Sequence, residues 1–282
     1  MERLAARGLG LLPHTRYQLD KVVYENAATK RAFYRVKHAS MPGLTYGLKL
    51  LQVDDPREAK TVRHEVTALN RLPFGTSARC HHHWQDGNTH YLLTDWIDGK
   101  PLSEIFTRPP QSQQEGLERI KVAEKLASKL ANLHRLRVIH RDIKPENVVA
   151  QVTGRNVRDV VLIDFGLSNQ KRGIEEGTYL YRSPEQGGTR SVSLSGTSDV
   201  FSLCQTILFL LTGQPITLEA SFNHTDWDTD IVLSLPNWCL PELNDLLVKG
   251  LRFNPNDRLK QASTVANGLR DVSRKMNARR AR

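Results

Sequence analysis

The chain has 282 residues, of which 39% are hydrophobic, and its formal net charge is +10. This length is sufficient for one large domain or for two lobes around a shared cleft, and the composition is typical of a soluble globular protein. The most apolar stretch, residues 200–213, is too short to span a bilayer and suits a buried helix, so no membrane span is predicted.

The cysteines and the two ends of the chain bear on the protein's cellular location and contacts. The three cysteines lack metal-ligand spacing and cannot all pair within the chain, so we expect reduced thiols and a cytoplasmic location. The apolar run between Leu9 and Leu12 is shorter than the hydrophobic region of a signal peptide. The tail, residues 270–282, is basic. It either binds nucleic acid or an anionic surface, or it is simply a solvated end of the chain. Short basic runs are weakly specific, which favours the solvated end.

The first predicted element is a β-hairpin over residues 21–38, KVVYENAATKRAFYRVKH. Residues such as Val22 and Phe33 favour strand, and the polar residues 25–31 form a turn that contains no glycine. LTYGLKLL and THYLLTDWI are predicted strands. The segment DDPREAKTVRHEVTALNRL between them is predicted to be a helix with Pro56 in its first turn.

After Gly99 the predicted elements are mainly helical. In LERIKVAEKLASKLANLHRL, apolar residues recur on one face at helical spacing: Leu117, Ile120, Ala123, Leu126, Ala127, Leu130 and Leu133. The sequence therefore predicts a small strand-rich part followed by a larger helical part, with DWIDGKP as the hinge.

Groups suited to catalysis are concentrated in two segments. VIHRDIKPENVV places Asp142, Lys144 and Asn147 within six positions, and VVLIDFGL places Asp164 at the end of an apolar strand. Two carboxylates and an amide oxygen after strands suit a hard divalent cation and a hydroxyl nucleophile.

These motifs resemble the eukaryotic-type protein kinase family. HRDIKPEN, DFG, GTYLYRSPEQ and SDVFSL occur in the family's order, and the resemblance covers residues 16–271. It implies an α+β, bilobal kinase fold with an N-lobe at residues 16–97 and a C-lobe at residues 98–272. Residues 1–15 would be a basic N-terminal extension and residues 273–282 a basic C-terminal tail.

The resemblance also implies an enzyme that uses ATP and Mg²⁺ to phosphorylate a protein substrate. Asp142 would accept or orient the proton of a substrate hydroxyl, and Lys144 would steady the transferring phosphoryl group. Asn147 and Asp164 would hold magnesium. Lys144 together with Thr178 indicates serine/threonine specificity, and GTYLYRSPEQ is most similar to the bacterial serine/threonine branch.

A lysine–glutamate pair follows both from the resemblance and from spacing. Lys49 matches the strand lysine that grips the ATP phosphates. In the next helix, Glu65 shares the inward face that carries Val62 and Val66. A buried carboxylate needs a partner, and Lys49, 16 residues earlier, is the candidate.

Further positions are assigned by the resemblance alone. ATP would contact Thr94, Asp95, Ile97 and Val149 in addition to Lys49 and Glu65. Gly47 replaces the family's usual alanine, which predicts looser packing over the base.

Three other matches are structural. Glu185 would pair with Arg258, and Asp199 would anchor the catalytic loop. The SPE segment that carries Glu185 argues against a small-molecule kinase of related fold.

The glycine-free hairpin occupies the place of the family's glycine-rich loop. Glycines there let backbone N–H groups approach the phosphates. Asn26 tolerates a left-handed conformation, and Lys30 and Arg31 would supply side-chain charge to the phosphates instead. This departure leaves a pseudokinase scaffold as the alternative to an active enzyme.

Two further segments are considered for a regulatory role and for metal binding. Glu175 and Glu176 either supply permanent negative charge near Arg141 or form a solvated turn. CHHHW at residues 80–84 contains adjacent histidines, which alternate between the two faces of a strand, so a metal site is not expected there.

Overall fold

The structure, a computed structural model, describes residues 1–12, 17–73, 75–154, 156–166, 178–187, 194–216 and 233–280. The chain divides into two compact units, Met1–Asp98 and Gly99–Arg282. The first is rich in strands and the second in helices, which confirms the predicted α+β class. The borders predicted for the terminal extension and the tail remain predictions.

The first unit is built on an antiparallel five-stranded sheet with the strand order β1-β2-β3-β5-β4. Its elements in chain order are α1 (Glu2–Gly10), β1 (Tyr17–Asn26), β2 (Arg31–His38), β3 (Met41–Gln52), α2 (Pro56–Arg71), β4 (Cys80–Asp86) and β5 (Thr89–Asp95). The predicted hairpin, the strands β3 and β5 and the helix that begins at Pro56 are all confirmed.

The two faces of this sheet have different roles. Alternation along β2 buries Ala32, Tyr34 and Val36 on one face, while Phe33 and Arg35 on the other face are half-buried. The buried face forms a core with residues of β3 and β5 and with helix α1. The opposite face carries Lys49, which is paired with Phe33 in the β2–β3 register.

Helix α1 lies within the segment that the sequence indicated as an extension, yet it is packed on the sheet. Ala5 is fully buried in the core. Trp84 donates its indole N–H to the carbonyl of Gly8 at 3.0 Å, and Tyr91 donates its hydroxyl to the carbonyl of Leu4 at 3.1 Å. A Cβ at Gly8 would lie 2.2 Å from the Tyr91 ring, so glycine is what permits this close approach.

The second unit packs helices around a three-stranded antiparallel sheet with the order β6-β7-β8. Its elements are β6 (Lys100–Pro101), α3 (Leu102–Ile105), α4 (Gln113–Arg135), a 3₁₀ turn (Pro145–Asn147), β7 (Val148–Thr153), β8 (Asn156–Leu162), α5 (Pro184–Gly187), α6 (Gly196–Thr212), α7 (Pro241–Gly250) and α8 (Ala262–Arg280).

Helices α4 and α6 form the centre of this unit. The seven apolar residues predicted to share one face of α4 are all fully buried. Helix α6 is buried almost all round and is capped at its C-terminus by Gly213, whose left-handed φ of 84° suits glycine. Within the described ranges, no helix is both long and apolar enough to cross a membrane.

Candidate active site

The β7–β8 hairpin brings two of the predicted site residues to one end of the second unit's sheet. The 3₁₀ turn that contains Asn147 runs directly into β7, and Asp164 follows β8. Val148 pairs with Leu162 in the ladder, and the N–H of Ile163 donates to the carbonyl of Asn147 at 3.0 Å. Antiparallel pairing thus places Asn147 opposite Ile163, and Asp164 is the next residue of the chain.

The carboxylate of Asp142 is surrounded by hydrogen-bond donors. Its Oδ1 accepts the backbone N–H of Thr178 at 3.1 Å and the Thr178 hydroxyl at 2.9 Å. Its Oδ2 accepts from Asn147 Nδ2 at 2.9 Å and is paired with Lys144 Nζ at 3.0 Å. Lys144 Nζ also donates to Thr178 Oγ1 at 2.6 Å. The four residues Asp142, Lys144, Asn147 and Thr178 therefore form one network.

The exposure of this network suits contact with a substrate. The side chains of Asp142 and Lys144 retain 14% and 20% of their accessible surface, so a hydroxyl can approach both. The hydrogen bonds fix the orientation of the carboxylate. In chemical terms the site offers an oriented base with a cation beside it, which is what proton removal during transfer of an anionic group requires.

The oxygens of Asn147 and Asp164 fit a hard cation. Asn147 turns its amide nitrogen to Asp142, so its amide oxygen is the atom suited to a metal. Asp164 is exposed and has a φ of 62°, a left-handed conformation that is unfavourable for a residue with a Cβ. Carboxylate and amide oxygens are the ligands that Mg²⁺ prefers. The donor set is thus compatible with the predicted magnesium site.

The backbone before Asp142 is held by Asp199, as predicted. The fully buried Asp199 carboxylate accepts the N–H of His140 at 2.8 Å and the N–H of Arg141 at 2.7 Å. It also bonds to His134 Nε2 at 2.9 Å. Burial alone would raise the pKa of this carboxyl, but the hydrogen bond and charge of His134 lower the pKa overall. Asp199 is therefore held as a carboxylate that fixes the backbone before Asp142 from helix α6.

The predicted pair of Glu185 and Arg258 is also present and buried. Arg258 Nη1 and Nη2 donate to the two oxygens of Glu185 at 2.7 and 2.6 Å, and Ser198 Oγ donates to one of them at 2.8 Å. Burial raises the pKa of the Glu185 carboxyl, and the bonds from Arg258 more than reverse this, so its pKa lies below the usual range. The pair links α5 to the segment before α8 and is remote in sequence from Asp142.

In the first unit, Lys49 and Glu65 form the predicted ion pair. Lys49 Nζ lies 2.7 Å from Glu65 Oε1, and the two side chains are 13% and 4% exposed. This burial strengthens the interaction and fixes the lysine on its face of the sheet. Burial first, and the nearby Glu65 charge second, raise the pKa of the Cys80 thiol to about 12, so this cysteine is a neutral core residue.

The expectation of loose packing at Gly47 is wrong. A Cβ there would lie 2.5 Å from Cζ of Phe33, so the Phe33 ring already fills the space that an alanine would use. The ring stacks on Trp96 with centroids 6.1 Å apart and planes 16° apart. Thr94 donates its hydroxyl to the carbonyl of Gly47 at 3.4 Å. The packing of Phe33 and Trp96 was not predicted from the sequence, because the β2–β3 register that places Phe33 opposite Lys49 is not set by the residue pattern of either strand alone.

The left-handed residue of the hairpin turn is Lys30 and not Asn26. Asn26 Oδ1 accepts the N–H of Thr29 at 3.0 Å, while Lys30 has the left-handed φ of 54°. The exposed ammonium of Lys30 forms an ion pair with Asp54, and Arg31 is exposed. The assignment of Lys30 and Arg31 to phosphate contacts remains a prediction.

The remaining assigned positions are placed as follows. Asp95 is half-buried, and its carboxylate bonds to the N–H of Arg79 at 2.9 Å and to His81 Nε2 at 2.6 Å. Ile97 is half-buried in the first unit, and Val149 is buried in β7 of the second. Glu175 and Glu176 lie outside the described residues.

Comparison with known proteins identifies the family to which the sequence belongs. The protein kinase domain model matches residues 33–268. Serine/threonine-protein kinase PknL of Mycobacterium tuberculosis is 28% identical over 230 residues, which are 76% of this chain and 55% of that protein. Serine/threonine-protein kinase C of Synechocystis is 27% identical over 203 residues, 66% of this chain and 35% of that protein. Ribosomal protein S6 kinase alpha-6 of Mus musculus is 29% identical over 257 residues, 86% of this chain and 32% of that protein.

The chain thus spans about half, or less, of the length of these relatives. The family match covers most of the chain and includes every assigned site residue except Lys30 and Arg31, which precede it. The resemblance inferred from the motifs is confirmed, and the chain belongs to the protein kinase domain family.

Proposed function

We propose that this chain transfers the γ-phosphoryl group of ATP to a serine or threonine hydroxyl of a protein substrate. The observation that carries the proposal is the network in which Asp142 accepts hydrogen bonds from Thr178 and Asn147 and is paired with Lys144. A scaffold has no need of an oriented, partly exposed carboxylate beside a cation. The names of the relatives support the serine/threonine class.

Each residue has a defined role in this proposal. Asp142 accepts the proton of the substrate hydroxyl, and Lys144 balances the charge that develops on the transferred group. Lys49, which is held by Glu65, would contact the nucleotide phosphates. Asn147 and Asp164 would hold Mg²⁺, which neutralises phosphate charge when it is bound.

The pseudokinase alternative is favoured by the hairpin alone. The turn lacks glycine, and the Lys30 ammonium already has a carboxylate partner in Asp54. These features would weaken phosphate contacts from the hairpin, but they leave the groups around Asp142 and Lys49 intact. We therefore favour an active enzyme in which Lys49, rather than the hairpin, makes the main contact with the ATP phosphates.

The cysteines bear on the cellular compartment of the reaction. Cys80, Cys204 and Cys239 are free thiols, and Cys80 and Cys204 are buried, which supports a reducing compartment such as the cytoplasm. Part of the basic tail lies on helix α8, which extends to Arg280. We propose that the tail is a solvated end and not a contact for nucleic acid or an anionic surface.

The test is a phosphotransfer assay with γ-labelled ATP, Mg²⁺ and generic protein substrates, followed by phosphoamino-acid analysis. Label on serine or threonine supports the proposal, and label on small molecules alone contradicts it. Asp142→Asn should abolish the transfer. Asp159→Asn is the matched control, because Asp159 is a carboxylate of the same unit that pairs with Lys129 and has no role in the site.

A further inference from the structure

Gln186, in the SPEQ segment, has a fully buried side chain that the proposed reaction does not use. Its Nε2 donates to the carbonyl of Arg141 at 2.7 Å. Its Oε1 accepts the backbone N–H of Ser183 at 3.0 Å and the Ser183 hydroxyl at 3.1 Å. Because a backbone N–H only donates, it fixes which end of the amide faces Ser183 and therefore which end faces Arg141.

Arg141 has a backbone conformation that must be held in place. Its φ of 70° is left-handed, which is unfavourable for a residue with a Cβ unless the surroundings impose it. The peptide group before its Cα is held because the Arg141 N–H donates to Asp199 at 2.7 Å. The peptide group after its Cα is held by Gln186. The two buried side chains therefore clamp the residue from both sides.

The clamp acts directly on the catalytic carboxylate. The carbonyl of Arg141 and the N–H of Asp142 belong to one planar peptide group. A donor fixed on that carbonyl sets the plane from which the Asp142 side chain projects. We propose that Gln186 is a positioning residue: through its bond to the Arg141 carbonyl, the SPEQ segment fixes the orientation of Asp142. This inference rests on the proposed function, since it assigns a role within the same site.

Loss of the donor should reduce turnover. Gln186→Met keeps the length of the side chain but removes the donor that Gln186 provides to the Arg141 carbonyl, and we expect kcat to fall about tenfold or more. The Michaelis constant for ATP should stay near the wild-type value, because Lys49 and Glu65 are untouched. Ser183→Ala is the matched control: it removes a buried hydroxyl yet leaves the Gln186–Arg141 bond, and its kcat should stay within about threefold of wild type. Equal losses in the two variants would overturn the proposal.

A second variant separates positioning from general destabilisation. Gln186→Glu has nearly the same shape, but an ionised carboxylate cannot donate to the Arg141 carbonyl. Burial raises the pKa of such an acid, and its protonated form again has an O–H to donate. The ratio of its kcat to that of wild type should therefore rise as the pH is lowered, while the ratio for Gln186→Met stays flat. A flat ratio in Gln186→Glu would contradict the clamp.

Amide hydrogen exchange tests the clamp without any activity. Gln186→Met should speed exchange in a peptide covering residues 138–147, and Ser183→Ala should not. If the wild type transferred no phosphate, the proposed function would fail, and this exchange experiment would still decide the clamp. Unchanged exchange in Gln186→Met would overturn it.

Discussion

Gly47→Ala should destabilise the protein because the Phe33 ring occupies the space of the added methyl group. The new Cβ would lie 2.5 Å from Cζ and 2.8 Å from Cε2 of Phe33, and 3.0 Å from Thr94 Oγ1. Carbon atoms pack at about 3.5–4.0 Å, so the ring would have to retreat by roughly 1 Å. Its stacking on Trp96 and on Tyr24, with centroids at 6.1 and 6.5 Å, opposes that movement.

The size of the effect follows from the overlap. Overpacking of this kind costs about 1–3 kcal/mol, and we expect the free energy of unfolding to fall by that amount in urea titrations. Phe33→Val removes the obstructing ring. In that background Gly47→Ala should be nearly neutral, so the double variant should be more stable than the sum of the single changes by about 1 kcal/mol or more.

Additive changes in the free energy of unfolding for Gly47→Ala and Phe33→Val would refute this reasoning. If Gly47→Ala reduces stability equally with and without the Phe33 ring, the ring is not the obstacle and the packing described for this face is wrong. Gly10→Ala is the control, because no atom lies within 4 Å of its added Cβ. That change in a helix should leave stability equal or slightly increased.

Three further outcomes test the ion pairs. Glu65→Gln should raise the Michaelis constant for ATP about tenfold by releasing Lys49, since a charge-assisted bond is worth about 1.5–3 kcal/mol; unchanged kinetics would show that the pair has no role in binding. Arg258→Leu should cost about 3–5 kcal/mol in urea titrations by removing the cation that balances the buried Glu185 carboxylate, whereas adding Glu185→Leu should recover part of the loss. The carboxyls of Asp199 and Glu185 have lowered pKa values in the fold, so their contribution is complete above the unfolded pKa, near 4, and is lost as the pH falls through the folded values. Stability should fall on acidification, and Asp199→Asn should show a smaller pH slope.

Local patterns were sufficient to predict most of the fold. Alternating residues marked β2 and β3, and apolar spacing marked α2 and α4, because each element buries one face. The pairing of Glu65 with Lys49 was also predictable, since one carboxylate on an apolar face requires a cation and the neighbouring strand supplies it.

Features that depend on distant contacts were not predictable. Helix α1 is short and carries Arg3 and Arg7, and its burial depends on Tyr91 and Trp84 far along the chain. The Phe33 ring fills the space beside Gly47, and predicting this packing requires the strand register. The bond from Gln186 to Arg141 requires the tertiary fold, because 45 residues separate them.

The most direct test of the central claim follows the γ-phosphoryl group itself. The chain is incubated with Mg²⁺ and ATP whose γ-phosphate carries ¹⁸O, and phosphorylated residues of the chain and of a generic substrate are identified by mass spectrometry. We predict heavy phosphate on serine or threonine with wild type and with Asp159→Asn, and none with Asp142→Asn. Heavy inorganic phosphate without phosphoprotein, or equal labelling by Asp142→Asn, would contradict the assignment of Asp142 as the base of a protein kinase.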